Sequence, residues 1–225
     1  MNNEGAHLPR IETKFVVDAS SYHQLRTWMH VSPAAFRPAF PPRQVNNVYF
    51  DSFELDSLER HLAGMSVRSK LRYRWYGADA GIHGGALELK FKRDRLRWKS
   101  CVDRPQISCT GREPWRHIIG QLARGLAPEH ALWLHSRPVP AVINTYQRAY
   151  FVTADGRLRA TIDTDLRVAV QRGGSRPHWK PSPLSSDDVV LELKFPPELL
   201  DYVNRLSSTL PLRPDRHSKY VKAFG

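Results

Sequence analysis

In Val67-Arg68-Ser69-Lys70-Leu71-Arg72-Tyr73-Arg74-Trp75, four cations occupy alternate positions and Val67, Ser69, Leu71, Tyr73 and Trp75 fill the places around them. Successive side chains of a β-strand point to opposite faces, so this stretch is a strand with one cationic face and one largely apolar face. The same period recurs on both sides of it. From Leu87 to Lys92, Glu88, Lys90 and Lys92 stand against Leu87, Leu89 and Phe91, and the next charged face is Arg95, Arg97 and Lys99. Arg10, Glu12 and Lys14 oppose Ile11 and Phe15. Later, Arg159, Thr161, Asp163 and Asp165 oppose Leu158, Ala160, Ile162 and Leu166, and Glu192 and Lys194 oppose Val189, Leu191, Leu193 and Phe195. Asn144, Tyr146, Arg148 and Tyr150 share one further face. An ordinary half-buried antiparallel sheet would mix Thr, Ser, Gln, Lys and Glu on its wet side. Four cations in succession would repel one another there, and Arg and Lys are poor strand formers beside β-branched residues. The pattern points to a closed or nearly closed barrel turned inside out, its apolar faces outward under helices and its charged faces lining a channel. Such a lumen is stable when it holds a polyanion with a divalent metal.

Length and composition are consistent with this reading. The 225 residues are 41% hydrophobic, enough for a real core and too apolar for general disorder, and they are read as one domain over 1–225. The balance of 34 Lys and Arg against 22 Asp and Glu gives a net charge of +12, which favours a polyanionic partner without choosing among nucleic acid, an acidic membrane surface and a phosphate-rich small molecule. No run approaches the roughly 18 apolar residues of a membrane helix. The start, Met1-Asn2-Asn3-Glu4-Gly5, lacks the basic and apolar regions of a secretory signal. Cys101 and Cys109 are too few for a disulfide framework and fit reduced thiols in a cytoplasmic protein. Helical patterns are expected near 18–30, 54–63, 113–124, 128–135 and 197–208, and the proline-rich stretches Ser32–Arg43 and Gly173–Asp188 are expected as loop excursions. The pentapeptide Leu87-Glu88-Leu89-Lys90-Phe91 recurs as Leu191-Glu192-Leu193-Lys194-Phe195. The ten histidines have no metal-ligand spacing, and there is neither a Gly-rich phosphate loop nor a Gly-x-Ser-x-Gly elbow.

Several segments, in order along nearly the whole chain, resemble the VTC domain of polyphosphate polymerases, within the triphosphate tunnel metalloenzyme (CYTH-like) superfamily. They are Arg10-Ile11-Glu12-Thr13-Lys14-Phe15, Val48-Tyr49-Phe50-Asp51, Lys70-Leu71-Arg72-Tyr73-Arg74-Trp75-Tyr76-Gly77, Leu87-Glu88-Leu89-Lys90, Asn144-Thr145-Tyr146-Gln147-Arg148, Ala160-Thr161-Ile162-Asp163-Thr164-Asp165-Leu166, Leu191-Glu192-Leu193-Lys194 and Ser218-Lys219-Tyr220. The resemblance implies an α+β fold, a closed antiparallel tunnel of eight strands with helices packed outside. By motif, Lys14, Arg72, Arg74, Lys90, Arg148 and Arg159 fall on the basic lining that binds triphosphate, Tyr146 on a tunnel tyrosine, and Ser218 and Lys219 on phosphate ligands of the C-terminal helix. Glu192 falls on the carboxylate that holds the metal. Arg60 and Lys99 match with altered spacing, and Arg10, Lys70 and Lys194 are counted with the substrate-binding cations. Two departures stand out. Arg10 replaces the first glutamate of the Glu-x-Glu-x-Lys strand of the hydrolytic branches, and the sensor domain and membrane helices of eukaryotic subunits are missing. The chain therefore resembles a stand-alone bacterial catalytic domain, with any membrane-protein partner not encoded here.

The activity implied is a metal-dependent phosphotransferase that passes the γ-phosphate of ATP to a growing inorganic polyphosphate chain. Phosphoryl transfer needs positioning and charge neutralisation more than a protein nucleophile. Arg72, Arg74, Arg148 and Arg159 would cradle phosphates as planar forks, Lys14, Lys90 and Lys219 would add point charges, and Glu192 would hold Mn²⁺ or Mg²⁺. Glu12 and Glu88 are candidates for the same metal; with Asp163 and Asp165 they are equally readable as countercharges to the lining cations. Two alternatives stay open. One is hydrolysis of tripolyphosphate or a nucleoside triphosphate, with Glu12 or Glu88 holding water. The other is a module that binds polyphosphate or nucleic acid without turnover. Tyr73 and Trp75 face away from Arg72 and Arg74, which argues against a nucleic-acid stacking platform on that strand, and no specific nucleic-acid partner is expected.

Overall fold

A computed structural model describes residues 10–210, apart from positions 79, 80, 94, 95, 105, 172 and 184–187. The strands are β1 (Ile11–Asp18), β2 (Arg37–Asp51), β3 (Val67–Tyr76), β4 (Gly85–Arg93), β5 (Leu96–Arg104), β6 (Val139–Val152), β7 (Arg159–Val170), β8 (Ser182–Pro183) and β9 (Asp188–Phe195). The helices are α1 (Tyr22–Val31), α2 (Asp56–Leu62), α3 (Trp115–Ala123), α4 (Pro128–His135) and α5 (Leu200–Ser207), each in a segment where helical periodicity is expected, with α1 running one residue past its expected end. None of them is long and apolar enough to cross a membrane. Every strand pair is antiparallel, in the order β1-β9-β7-β6-β2-β3-β4-β5, with the short β8 added beside β7.

Eight strands thus run along one path, but its ends, β1 and β5, do not pair with each other among the described residues. Hydrogen bonding does not close the sheet, which corrects the expected closed barrel. The sheet is nevertheless strongly curved. Laid flat, β1 and β3 would stand five strand spacings apart, roughly 24 Å. Yet Lys14 on β1 acts electrostatically on Lys70 of β3, and Lys90 of β4 on Glu12 of β1. The unpaired edges carry inward-pointing charges, a common protection against edge-to-edge association.

Register places the charged series on the concave face. Lys14 lies opposite Glu192, and Glu192 opposite Thr161; Arg148 lies between Asp163 and Arg43; Arg72 between Tyr49 and Glu88; Lys90 between Lys70 and Lys99. The alternate residues form two cores on the convex side. In one, Leu71, Tyr73, Trp75, Leu87, Leu89 and Ile143 pack with Trp115, Ile118 and Leu122 of α3 and Leu134 of α4. In the other, Phe15, Ile162, Leu191, Leu193 and Phe195 pack with Leu25 and Met29 of α1 and Val203 and Leu206 of α5. Each fully buried side chain of this kind contributes about 1.5–3 kcal/mol, so the helices hold the sheet from outside and leave the concave face polar.

Two local expectations change. The stretch Ser32–Arg43 does not remain a loop throughout: β2 starts at Arg37 and takes in Pro38, Pro41 and Pro42. Register shifts at Pro38/Phe40 and Phe40/Arg43 absorb the missing amide donors, which is how a strand tolerates proline. On β7 the expected alternation breaks at a bulge opposite Tyr146. Asp165 takes a left-handed backbone (φ 51°), is exposed and pairs with Arg167 at 2.9 Å, while Leu166 packs on Val45 and Tyr146. Asp165 is thus removed from the lining.

Close packing also fixes Gly85, which lies opposite Trp75 at the start of β4. A Cβ there would run into the backbone carbonyl of Arg74. Gly85→Ala is expected to cost about 1–3 kcal/mol through forced backbone shifts, measured as a lower denaturation midpoint. A variant as stable as the parent would contradict that packing.

Candidate functional site

The concave face is a network of cations with fewer carboxylates set among them. On β1 and β9, Lys14 Nζ lies 3.1 Å from Glu12 Oε1 and 3.2 Å from Glu192 Oε2, and Lys194 Nζ lies 2.5 Å from Glu192 Oε1. Between β6 and β7, Arg148 grips Asp163 with two bonds, Nε to Oδ1 at 2.5 Å and NH2 to Oδ2 at 2.7 Å. Between β3 and β4, Arg72 donates Nε to Glu88 Oε2 at 2.7 Å and NH1 to Tyr49 OH at 3.4 Å, while Lys99 Nζ reaches Glu88 Oε1 at 3.3 Å.

Arg74 is held differently. Its Nε donates to Asn47 Oδ1 at 2.9 Å and its NH2 to Tyr146 OH at 3.1 Å, so neutral groups orient it, and Glu88 acts on its charge only from beyond ion-pair distance. Asn47 is itself fixed by donating Nδ2 to Asn144 Oδ1 at 2.9 Å. Arg74, Lys90 and Arg159 make no ion pair among the described residues, and Arg159 is exposed opposite Lys194.

This crowding perturbs the titrating groups. Arg72, followed by burial and Arg74, holds Lys90 well below the ordinary lysine range, although its side chain still meets solvent within the concavity. Burial, with Arg68, Lys14 and Arg72, pushes Lys70 down to about 7. On α2, burial and then Lys70, Arg68 and Lys92 push His61 down to about 3 and keep it neutral. The carboxylates move the opposite way to their burial. Burial opposes ionisation of Glu88, but Arg72, Arg74, Lys90 and Lys99 overcome it and hold its pKa well below the usual range. Burial likewise opposes ionisation of Glu192, and Lys14, Lys194 and Arg148 outweigh it.

The expected lining is therefore brought onto one face: Lys14, Lys70, Arg72, Arg74, Lys90, Lys99, Tyr146, Arg148, Arg159 and Lys194, with Glu12, Glu88 and Glu192. Arg60 stands apart on α2, where with Arg68 and Lys92 it lines a cavity of about 510 Å³ at the rim. Arg10 is exposed just before β1. Ser218, Lys219 and Arg95 lie outside the described residues. Sequence reasoning missed Arg43 and Asn47: the prolines before Arg43 read as a loop, and Val45 and Tyr49, which share a face with Asn47, leave no polar alternation to mark it.

For a divalent metal, no cluster of three or more His, Cys, Asp or Glu is found among the described residues. Glu12 and Glu192 do converge on one ammonium, and Thr161 Oγ1, opposite Glu192, is buried without a partner among the described residues. A pair of carboxylates fits Mg²⁺ or Mn²⁺, hard cations that take their remaining ligands from water and phosphate. Glu88 is occupied by Arg72 and Lys99.

Comparison with known proteins adds the fold and the family. No curated protein matches the chain. Among solved structures, a "putative adenylate cyclase" from Vibrio parahaemolyticus superposes with a TM-score of 0.53 at 10% identity, covering 97% of this chain and 99% of that one. A "putative adenylyl cyclase" from Hippeastrum, described as having a dominant triphosphatase activity, gives 0.54 at 17% identity, covering 96% and 95%. At these identities the likeness is one of fold. The family model described as the VTC domain matches residues 9–224, and the chain belongs to the VTC domain family.

Proposed function

We propose that the protein is a metal-dependent phosphotransferase that lengthens inorganic polyphosphate from ATP on its concave face. The observation that carries this reading is the excess of positive charge there: Arg74, Lys90 and Arg159 have no carboxylate partner among the described residues, while neighbouring cations hold Lys90 well below the ordinary lysine range. Such a site lacks its counter-ion until a polyanion enters. Arg72, Arg74, Arg148 and Arg159 supply forks for phosphate oxygens, and Lys14 and Lys90 supply point charges. Glu192, with Glu12, would hold Mg²⁺ or Mn²⁺, which when bound neutralises phosphate oxygens. An oxygen of the chain's terminal phosphate attacks the γ-phosphorus in line, the bond to the β-phosphate oxygen breaks, and ADP leaves with that electron pair.

The test is ATP turnover with Mg²⁺ or Mn²⁺, with products resolved on a polyphosphate gel. A ladder of chains with matching ADP supports the polymerase; orthophosphate without chains overturns it in favour of hydrolysis. That second reading draws on the Glu12–Glu192 convergence, since hydrolysis needs a carboxylate beside water. The replacement of a first-strand glutamate by Arg10 favours transfer.

Lys70 adds a signature in proton uptake. It faces Arg68 and Arg72 on its own strand, Lys90 on β4, Lys14 on β1, Asp51 on β2 and His61 on α2. With the group down at about 7 in the free protein, a bound polyanion restores the ammonium. Tripolyphosphate binding is expected to take up protons above about pH 7 and to weaken as pH rises. Calorimetry in two buffers of different ionisation heat measures this, and identical heats would take Lys70 off the binding surface.

A further inference from the structure

At the end of the sheet where β3 and β6 finish and β2 begins, the concave face changes chemistry. The guanidinium carbon of Arg43 lies 3.9 Å from the centroid of the Tyr76 ring and 5.1 Å from that of Tyr150. Arg43 Nε donates to Tyr150 OH at 3.2 Å, and Phe40 meets Tyr150 edge-on at 5.8 Å between ring centroids. No carboxylate pairs with Arg43 among the described residues. The rings are not core: Tyr76 is 40% exposed and Phe40 61%.

Register ties this stack to the cationic site. Arg43 lies opposite Arg148, and Tyr76 opposite Val45, which lies opposite Tyr146. Tyr76 follows Arg74 on the same face of β3, about 7 Å further along the strand. The other rim sets Arg60, Arg68 and Lys92 beside Asp51 and Asp56, and its stacked rings, Phe91 and Trp98, stand on the opposite face of β4 and β5 from Lys90 and Lys99. One mouth therefore presents flat π faces and a planar cation beside the phosphate-binding forks. Stacked rings with an interleaved guanidinium favour a flat aromatic ligand, since any base has a π face and arginine adds cation–π attraction.

We propose that Tyr76, Arg43 and Tyr150 form a stacking platform for the base of a nucleoside triphosphate whose phosphates lie against Arg74 and Arg148. This makes nucleotides preferred over inorganic triphosphate. It rests on the reading that the concave face binds triphosphates.

The test compares equilibrium binding of β,γ-imido ATP with that of inorganic diimidotriphosphate, using wild type, Tyr76→Ala, Tyr76→Trp and Arg43→Ala. Wild type is expected to prefer the nucleotide, and Tyr76→Ala to reduce the preference by about five- to a hundredfold, the range for one base stack. Tyr76→Trp should retain it. Circular dichroism checks that each variant is folded. Equal affinity of wild type for both ligands overturns the platform and leaves the triphosphate site standing, as does an unchanged ratio in folded Tyr76→Ala and Arg43→Ala. Wild type that binds neither ligand overturns both the platform and the site.

Discussion

Asp163→Ala is expected to destabilise the folded protein by about 3–5 kcal/mol, the cost of leaving a buried charge without its partner. Asp163 and Arg148 are both buried, and two short bonds join them across β6 and β7 in the middle of the sheet. The pair is not expected to add so much net stability, because desolvating two charges offsets most of their attraction. Removing one partner strands the other guanidinium among Tyr146, Arg43 and the remaining cations. Chemical denaturation measures the effect. The double variant Asp163→Leu/Arg148→Met should recover much of the loss, since an apolar pair leaves no unpaired charge. A loss below about 1 kcal/mol in Asp163→Ala would mean that Arg148 is solvated, contrary to its burial.

Arg74→Ala is expected to cost about 1–3 kcal/mol of stability, the penalty for leaving the buried Asn47 acceptor without its donor and less than the loss in Asp163→Ala. It should also cut turnover at least about tenfold, the equivalent of one charge-assisted contact worth about 1.5–3 kcal/mol. The contrast with Asp163 follows from their partners. Arg74 is oriented by the side-chain oxygens of Asn47 and Tyr146, so its removal strands no opposite charge. Arg74→Lys should recover part of the activity, because it keeps the charge and loses the planar fork. Steady-state turnover on folded variants measures this. Full activity in Arg74→Ala would remove β3 from the binding surface.

The inside-out character of the sheet was legible because strand parity alone separates Arg68, Lys70, Arg72 and Arg74 from Leu71, Tyr73 and Trp75. The partners of each charge were not legible, because they depend on neighbouring strands. The repeated pentapeptide makes this plain. In β9, Glu192 pairs with Lys194 of its own strand and with Lys14. In β4, Glu88 pairs with Arg72 and Lys99 on the flanking strands, while Lys90 lies opposite two lysines. Identical local sequence thus yields an ion-paired lysine in one place and a lysine set among cations in the other. The open path between β1 and β5 was equally hidden, since alternation marks faces and carries no information about closure. The bulge that removes Asp165 from the lining depends on the register between β6 and β7. The prolines of β2 concealed Arg43, which reaches the concave face only because register shifts absorb them.

Titration of the wild-type protein with inorganic tripolyphosphate, beside a long single-stranded nucleic acid, at low and at physiological salt, tests the concave-face site most directly. Saturable binding of one tripolyphosphate per chain is expected, strengthened by Mg²⁺ or Mn²⁺, surviving physiological salt and weakened by Arg74→Ala. Absence of tripolyphosphate binding, with tight nucleic-acid binding that falls steeply with salt, would contradict it and make the cations an external polyelectrolyte surface.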